Sequence, residues 1–232
     1  MGVKMTAVKA AFPHTLPVLT GYIVLGIAFG ILLSSKGYSL GWAILMSTVI
    51  YAGASQFVAI GLLTTDFNPL YALIITLVVN ARHLFYGISL LSRLHGTGSK
   101  KPYMVFGLTD ETFSILCATE PPAGVDRNWF MFFITLLDHA YWIVGSALGA
   151  MLGAVIEFNT KGIDFVMTAL FVVIFIEQWK TQKYHGPAIV GVGASLLCLL
   201  VFGASNFIIP SMLVIVSALM LGKKTVERGM AK

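Results

Sequence analysis

Charge is what this chain has least of. Charged residues make up 11% of the sequence, against about 25% in soluble domains. Hydrophobic residues make up 57% and the mean hydropathy is +0.87, which excludes an ordinary soluble domain. Cysteine is almost as scarce: Cys117 and Cys198 both fall in apolar segments, so neither a disulfide framework nor a cysteine-ligated metal is expected. Acidic residues are outnumbered, giving a formal charge of +5. The excess forms no patch, however, and no nucleic-acid partner is expected. Lys4, Lys9, Arg93, Lys100, Lys101, Lys180, Lys183, Lys223, Lys224, Arg228 and Lys232 sit at the ends of apolar segments, as cytoplasmic flanks and interfacial anchors do. No zinc-protease helix, nucleophile elbow, phosphate-cradling loop or nucleotide fingerprint occurs, so neither an enzyme nor a bound cofactor is expected.

What is present is a series of apolar runs, which define an all-α integral membrane protein with a single polytopic domain over residues 1–232. About seven or eight membrane segments are expected, since a helix needs about 20 residues to cross the lipid core. They run Leu16–Ser34, Gly41–Leu63, Pro69–Leu91, Tyr103–Thr119, Trp129–Ile156, Ile163–Trp179, Pro187–Phe202 and Phe207–Leu221. The first is preceded by a short amphipathic lead broken by Pro13 and Pro17, and does not read as a cleaved signal peptide. Asn68 and Pro69 suit the N-cap and first position of the third segment. Tyr103–Thr119 is short and holds Asp110 and Glu111 at its middle. It therefore reads as broken or re-entrant, lining a cavity.

A faint internal repeat is visible. Tyr22, Gly26 and Gly30 match Tyr141, Gly145 and Gly149 at a constant offset, and Lys36-Gly37 answers Lys161-Gly162. Gln56-Phe57 then answers Gln178-Trp179, and Pro69 answers Pro187. Repeats of this kind build transporters. The glycine stripes themselves read as helix-packing faces. Basic residues place the C-terminal tail in the cytoplasm. Eight full spans would leave the Arg93–Lys101 loop outside, against the same rule. A re-entrant Tyr103–Thr119 would return that loop to the cytoplasm and move the N-terminus outside.

The chemistry-bearing residues lie inside these runs. Arg82 stands at the middle of Pro69–Leu91, where an arginine costs at least about 2.5–3.5 kcal/mol unless it meets a wet cavity and a counter-charge. Asp110, Glu111 and Asp138 are the candidate partners. Residues three and four apart share a helix face, so Asn80, His83 and Gly87 line one face, with Arg82 and Tyr86 on its neighbour. Gly53, Ala54 and Ser55 before Gln56 leave backbone accessible to a polar ligand. Taken singly, Arg82 with an acid reads equally as a pin between helices, and His139 as a satisfied core histidine. Glu177, Gln178 and Lys180 read as interfacial. Several acids, two histidines and an arginine near mid-membrane exceed what helix packing needs.

Gly53-Ala54-Ser55-Gln56, then Asn80, Arg82, His83 and Gly87, then Leu108-Thr109-Asp110-Glu111-Thr112-Phe113 occur in an order and spacing that resembles the AzlC family. This is the large subunit of bacterial branched-chain amino acid exporters of the AzlCD, YgaZH and BrnFE type. The likeness extends over essentially the whole chain, and the Asn-Arg-His element is its most specific part. Ala81 stands where the family commonly has a larger apolar residue.

The resemblance implies secondary active, proton-coupled export of valine, leucine and isoleucine, with methionine as a further candidate. It also implies a small AzlD-like membrane subunit and a multi-pass location in the bacterial inner membrane. On that reading Arg82, Asn80, Gly53, Ser55 and Gln56 take the substrate carboxylate. Asp110 or Glu111 takes the ammonium, Tyr86 and Phe57 hold the apolar tail, and His83, Asp138 and His139 exchange the proton. The rival readings are a transporter or channel for another small solute or ion, and a structural membrane subunit.

Overall fold

The computed structural model describes residues 2–66, 68–90, 92–155, 184–203 and 207–222, with Phe165, Val172, Phe175, Ile176, Trp179 and Lys180. Of Arg82, Leu84, Phe85, Gly87, Ile88, Ser89, Ile208, Ile209 and Met212 only the backbone is described. Glu177, Gln178, the Lys161-Gly162 pair and the basic tail beyond Gly222 lie outside the described residues.

The regular structure described is helical. In chain order it comprises α1 (Val3–Ser35), α2 (Leu40–Val49), α3 (Gly53–Leu63), α4 (Pro69–Leu90), α5 (Lys101–Phe106), α6 (Asp110–Ala118), α7 (Arg127–Val155), α8 (Gly186–Phe202) and α9 (Ile208–Leu221), with a short 3-10 turn at Gly98–Lys100. Residues 1–166 form one compact unit and residues 167–232 another. Among the described residues α1 and α7 are long and apolar enough to cross a membrane.

Expected as a broken lead plus a span, residues 3–35 form one continuous helix through Pro13 and Pro17. Each proline removes one backbone bond, but both lie on the exposed side. The opposite side, with Ala7, Ala11, Thr15, Val18 and Tyr22, is buried along its length and carries the helix through.

α1 and α7 are joined by the glycine faces expected from the sequence. A Cβ on Gly26 would lie 2.8 Å from the Ser146 nitrogen, and one on Gly145 would lie 2.7 Å from the Tyr22 carbonyl oxygen. No side chain fits there, which lets the two backbones touch. The register rises together, with Ile23 against Gly145, Ile27 against Gly149 and Ile31 against Gly153, so α1 and α7 are parallel. At their N-terminal ends Lys4 sits over the Trp129 ring and His14 meets Phe130 edge-on.

The expected single segment Gly41–Leu63 is instead two helices. α2 ends at Val49, and α3 starts at Gly53. Between them Tyr51 adopts φ 43°, the one positive φ at a non-glycine among the described residues. The chain doubles back there. Tyr38, at the foot of α2, donates its hydroxyl to the Leu63 carbonyl at the end of α3, 3.1 Å away. Across the hairpin Gln56 Nε2 donates to Ser47 Oγ at 3.2 Å.

Helix α4 then returns to the other end of the unit, where Leu90 and Leu94 share a buried cluster with Ala11, Phe130 and Met131. The break expected in Tyr103–Thr119 is present at Gly107–Thr109, between α5 and α6. This too is a hairpin with both feet at one end. Lys100, entering α5, sits over Trp129. At the exit of α6, Arg93 donates to the Cys117 carbonyl and pairs with Glu120. Arg127, opening α7, donates to the Arg93 carbonyl at 2.9 Å. The two hairpins thus enter from opposite ends of the α1–α7 pair, and their tips meet where the Tyr51 and Phe106 rings are 6.3 Å apart.

Candidate functional site

The polar centre is built where the two tips meet one face of α7. Thr135, Asp138, His139, Trp142 and Ser146 fall at helical spacing and are all buried. Polar groups inside an apolar helix are tolerated when they point into protein and find partners. His139 links the hairpins. Its Nε2 lies 3.1 Å from the Ser47 carbonyl oxygen, which can only accept, so Nε2 carries hydrogen. In a neutral ring Nδ1 then accepts from the Tyr103 hydroxyl 2.9 Å away. Tyr51 lies on the imidazole, ring centroids 4.2 Å apart, which anchors a backbone conformation costing about 1–3 kcal/mol.

On the first hairpin, Trp142 Nε1 donates to Gln56 Oε1 at 2.7 Å. With the bond from Gln56 to Ser47, this fully buried amide ties α2, α3 and α7 together. Gly53 lies close beneath the indole: a Cβ there would come 3.1 Å from the Trp142 ring, which would have to give by a few tenths of an ångström. Tyr22 meets that ring edge-on, and Phe29 packs against both Trp142 and Phe57. The N-cap of α3 is Ala52, whose side chain caps nothing. The first-turn N–H groups of α3 therefore lack helical partners, and the buried Ser55 hydroxyl beside them makes no hydrogen bond.

The second hairpin is capped. Thr109 Oγ1 accepts from the Thr112 N–H at 3.2 Å. Asp110 and Glu111 occupy the first turn of α6, where the helix dipole favours negative charge. From Thr109 a line of oxygens runs outward. Tyr22 Oη is 2.6 Å from Thr109 Oγ1 and 2.8 Å from Glu111 Oε2. Thr109 Oγ1 is 3.1 Å from Thr112 Oγ1, which is 2.8 Å from Asp138 Oδ2. Asp138 is wholly buried, and its Oδ1 has no hydrogen-bond partner. The Tyr51 hydroxyl, near Asp138, Thr112 and Tyr22, makes no bond of good geometry.

The structure thus gathers Gly53, Ser55, Gln56, Glu111, Asp138 and His139 around the two tips. Asp110 is half-buried at the same helix start. Tyr86 reaches this region from α4, stacking on Phe113 of α6 with centroids 4.6 Å apart. Asn80 donates to the Thr76 carbonyl at 2.9 Å, and His83 Nδ1 lies 3.3 Å from the Asn80 carbonyl. The backbone of Arg82 is helical within α4, but its side chain, and so its expected pairing with an acid, lies outside the described residues. Tyr22, Tyr51, Tyr103, Thr109, Thr112 and Trp142 are part of the centre without having been singled out for it. The available signal was the hydroxyls bracketing the acids inside an apolar segment. Among the described residues no cluster of three His, Cys, Asp or Glu is arranged to hold a metal ion.

Apolar helices around a buried centre of acids, hydroxyls and an imidazole are the architecture of a helical membrane protein. Comparison with known proteins makes this specific. The family described as AzlC protein matches residues 17–156, which include every residue of the centre described above. The chain is 52% identical over 222 residues to "Branched-chain amino acid transport protein AzlC" of Bacillus subtilis (strain 168), covering 96% of this chain and 87% of that protein. It is 43% identical over 223 residues to an uncharacterized membrane protein of Helicobacter pylori (strain J99), covering 96% and 98%. It is 30% identical over 178 residues to "Inner membrane protein YgaZ" of Escherichia coli (strain K12), covering 73% and 72%. The chain belongs to the AzlC family. No solved structure matches it.

Proposed function

We propose that this chain is the transport subunit of a proton-coupled exporter of branched-chain amino acids, acting with a small AzlD-like membrane subunit in a bacterial inner membrane. The observation that carries this reading is the 52% identity, over nearly the whole chain, to a relative named for branched-chain amino acid transport. The geometry of the two tips supports it. A branched-chain amino acid is a zwitterion with an apolar tail, and burying it unpaired would cost several kcal/mol. Its carboxylate is taken by the uncapped start of α3, at Gly53 and Ser55, with Asn80 and Arg82 of α4. Gln56, expected among these groups, instead spends its amide on Trp142 and Ser47 and its N–H on the Ala52 carbonyl. Its ammonium is taken by Asp110 or Glu111 at the start of α6. Tyr86 and Phe57 bound the tail. His83, Asp138 and His139 exchange the proton.

In this reading residues 1–232 form one multi-pass domain. α1, α4 and α7 cross the bilayer, while α2–α3 and α5–α6 enter from opposite faces and return. The α5–α6 legs, 6 and 9 residues long, rise about 9 and 14 Å, roughly half the hydrocarbon depth. Lys4, Lys9, Arg93, Lys100, Lys101 and Arg127 gather at the end from which α1 and α7 start. The positive-inside rule makes that end cytoplasmic.

The test is counterflow of labelled leucine into proteoliposomes, with the chain alone and with its small partner. Uptake stimulated by internal valine establishes a branched-chain carrier. Competition by unrelated solutes would favour another cargo. Exchange by neither preparation would remove the substrate assignment.

A further inference from the structure

The oxygens between Glu111 and Asp138 set a proton count. Glu111 Oε2, Tyr22 Oη, Thr109 Oγ1, Thr112 Oγ1 and Asp138 Oδ2 follow one another at 2.8, 2.6, 3.1 and 2.8 Å. Each of these four contacts is of hydrogen-bond length and needs a hydrogen between its oxygens. Tyr22, Thr109 and Thr112 supply one each. The Thr112 N–H already points at Thr109 Oγ1 and supplies none to the line. The fourth hydrogen must come from a carboxyl group. With both acids ionised, one contact would set two lone pairs against each other in a buried site. With both protonated, the surplus hydrogen would have to sit on an oxygen off the line, and on Asp138 that is Oδ1, a buried atom with no partner to receive it.

We infer that Glu111 and Asp138 share a single proton through a relay formed by Tyr22, Thr109 and Thr112. The relay has two polarities. In one, Glu111 is protonated and donates to Tyr22, Tyr22 to Thr109, Thr109 to Thr112, and Thr112 to ionised Asp138. In the other, every hydrogen bond is reversed, Asp138 is protonated, and Tyr22 donates to ionised Glu111. Passing between them moves one hydrogen across each contact. The net change is one proton from Glu111 to Asp138, with every hydroxyl restored.

The relay spans three separate elements, α1, α6 and α7, and so also senses how the second hairpin sits against the α1–α7 pair. Facing it are Tyr51 from the first hairpin, Asp110 beside Glu111 on α6, and His139 beside Asp138 on α7, the last turned toward Ser47 and Tyr103. α4, which also packs on α6, carries Arg82 and His83 on this stretch. Resting on the transport reading above, the relay gives a coupling rule. A substrate ammonium at Glu111 requires that carboxylate ionised, which sends the proton to Asp138. A proton on Glu111 removes the charge that holds the ammonium.

Infrared difference spectroscopy of the purified chain tests the proton count without any substrate, so a wrong cargo leaves it intact. One buried carboxylic acid C=O band, downshifted in heavy water, is expected in the unsubstituted protein. It should vanish in Glu111→Gln and equally in Asp138→Asn, because either amide donates the missing hydrogen and leaves the other acid ionised. Absence of the band in the unsubstituted protein, or its survival in either variant, would overturn the shared proton. The relay itself is tested by transport driven by a pH gradient. Thr112→Val should slow it about a hundredfold, the scale of a positioned proton-transfer group, and Thr112→Ser should restore it. A valine variant as fast as the parent, or a serine variant as slow as the valine one, would overturn the relay.

Discussion

The two hairpins do the same geometric job with opposite chemistry. At the first tip the chain reverses through a strained Tyr51 and restarts as α3 with Ala52 as N-cap, leaving N–H groups and the Ser55 hydroxyl without helical partners. At the second it reverses through Gly107 and Leu108 and restarts as α6 with Thr109 as a true cap and two acids in the first turn. One helix start is a bare donor and the other a satisfied donor loaded with carboxylates. An anion suits the first and a cation the second. On the proposed reading the two starts divide the charges of a zwitterion between them, which neither hairpin does alone.

The comparison breaks outright if the hairpins do not enter from opposite faces. In a background lacking Cys117 and Cys198, single cysteines at Ser39 and Thr65 should react with an impermeant thiol reagent from outside. Those at Ser99 and Ala123 should react from the cytoplasm. Labelling of one hairpin's two feet from different faces would make that hairpin a crossing. Next in size is the loss of charge at the second tip. Glu111→Gln should lower leucine counterflow by about a hundredfold, since removing one partner of a buried charge pair costs about 2–5 kcal/mol. Ser55→Ala at the first tip should cost only about tenfold, one neutral hydrogen bond. Equal losses would mean that the substrate does not divide its charges between the tips.

Much of this was legible in the sequence where a residue type is intolerable in lipid. Paired acids at Asp110 and Glu111 betrayed the break between α5 and α6. The glycine stripes Gly26/Gly30 and Gly145/Gly149 betrayed the α1–α7 seam, because only glycine brings two backbones into contact. The break at Tyr51 left no such trace. Residues 41–63 carry no charge and no proline, and four small residues in a row suit a helix as well as a reversal. The hairpin shows only once Tyr38 is seen bonded to Leu63. For the same reason Tyr22, Thr109 and Thr112, though quoted in the repeat and the motif, were not assigned to the polar centre. A hydroxyl is tolerated in any membrane helix by bonding its own backbone, so its role appears only when its neighbours are known. Pro13 and Pro17 misled in the opposite sense, since continuous burial of one side of α1 outweighed two missing bonds.

The first hairpin carries no charge to lose, so its integrity rests on neutral contacts. Gln56→Leu should destabilise the protein by about 1–3 kcal/mol, because it strands both the Trp142 N–H and the Ser47 hydroxyl in a dry site. The check is the thermal midpoint in detergent. A larger fall than that from Thr109→Ala would show that this amide, not the capped hairpin, is the firmer of the two anchors.

The smallest expected effect is also the sharpest probe of Tyr51. Its ring lies on His139 while its hydroxyl, buried near Asp138, makes no hydrogen bond of good geometry. Tyr51→Phe keeps the ring and its left-handed backbone and removes only the oxygen. Leaving a buried polar atom unpaired carries a penalty, so stability should stay within about 0.5 kcal/mol or rise slightly. If Tyr51 only props the tip, leucine counterflow should be equally unmoved. A fall in counterflow without a fall in the thermal midpoint would place the hydroxyl on the substrate, and the first hairpin would then contribute a side chain as well as its bare helix start.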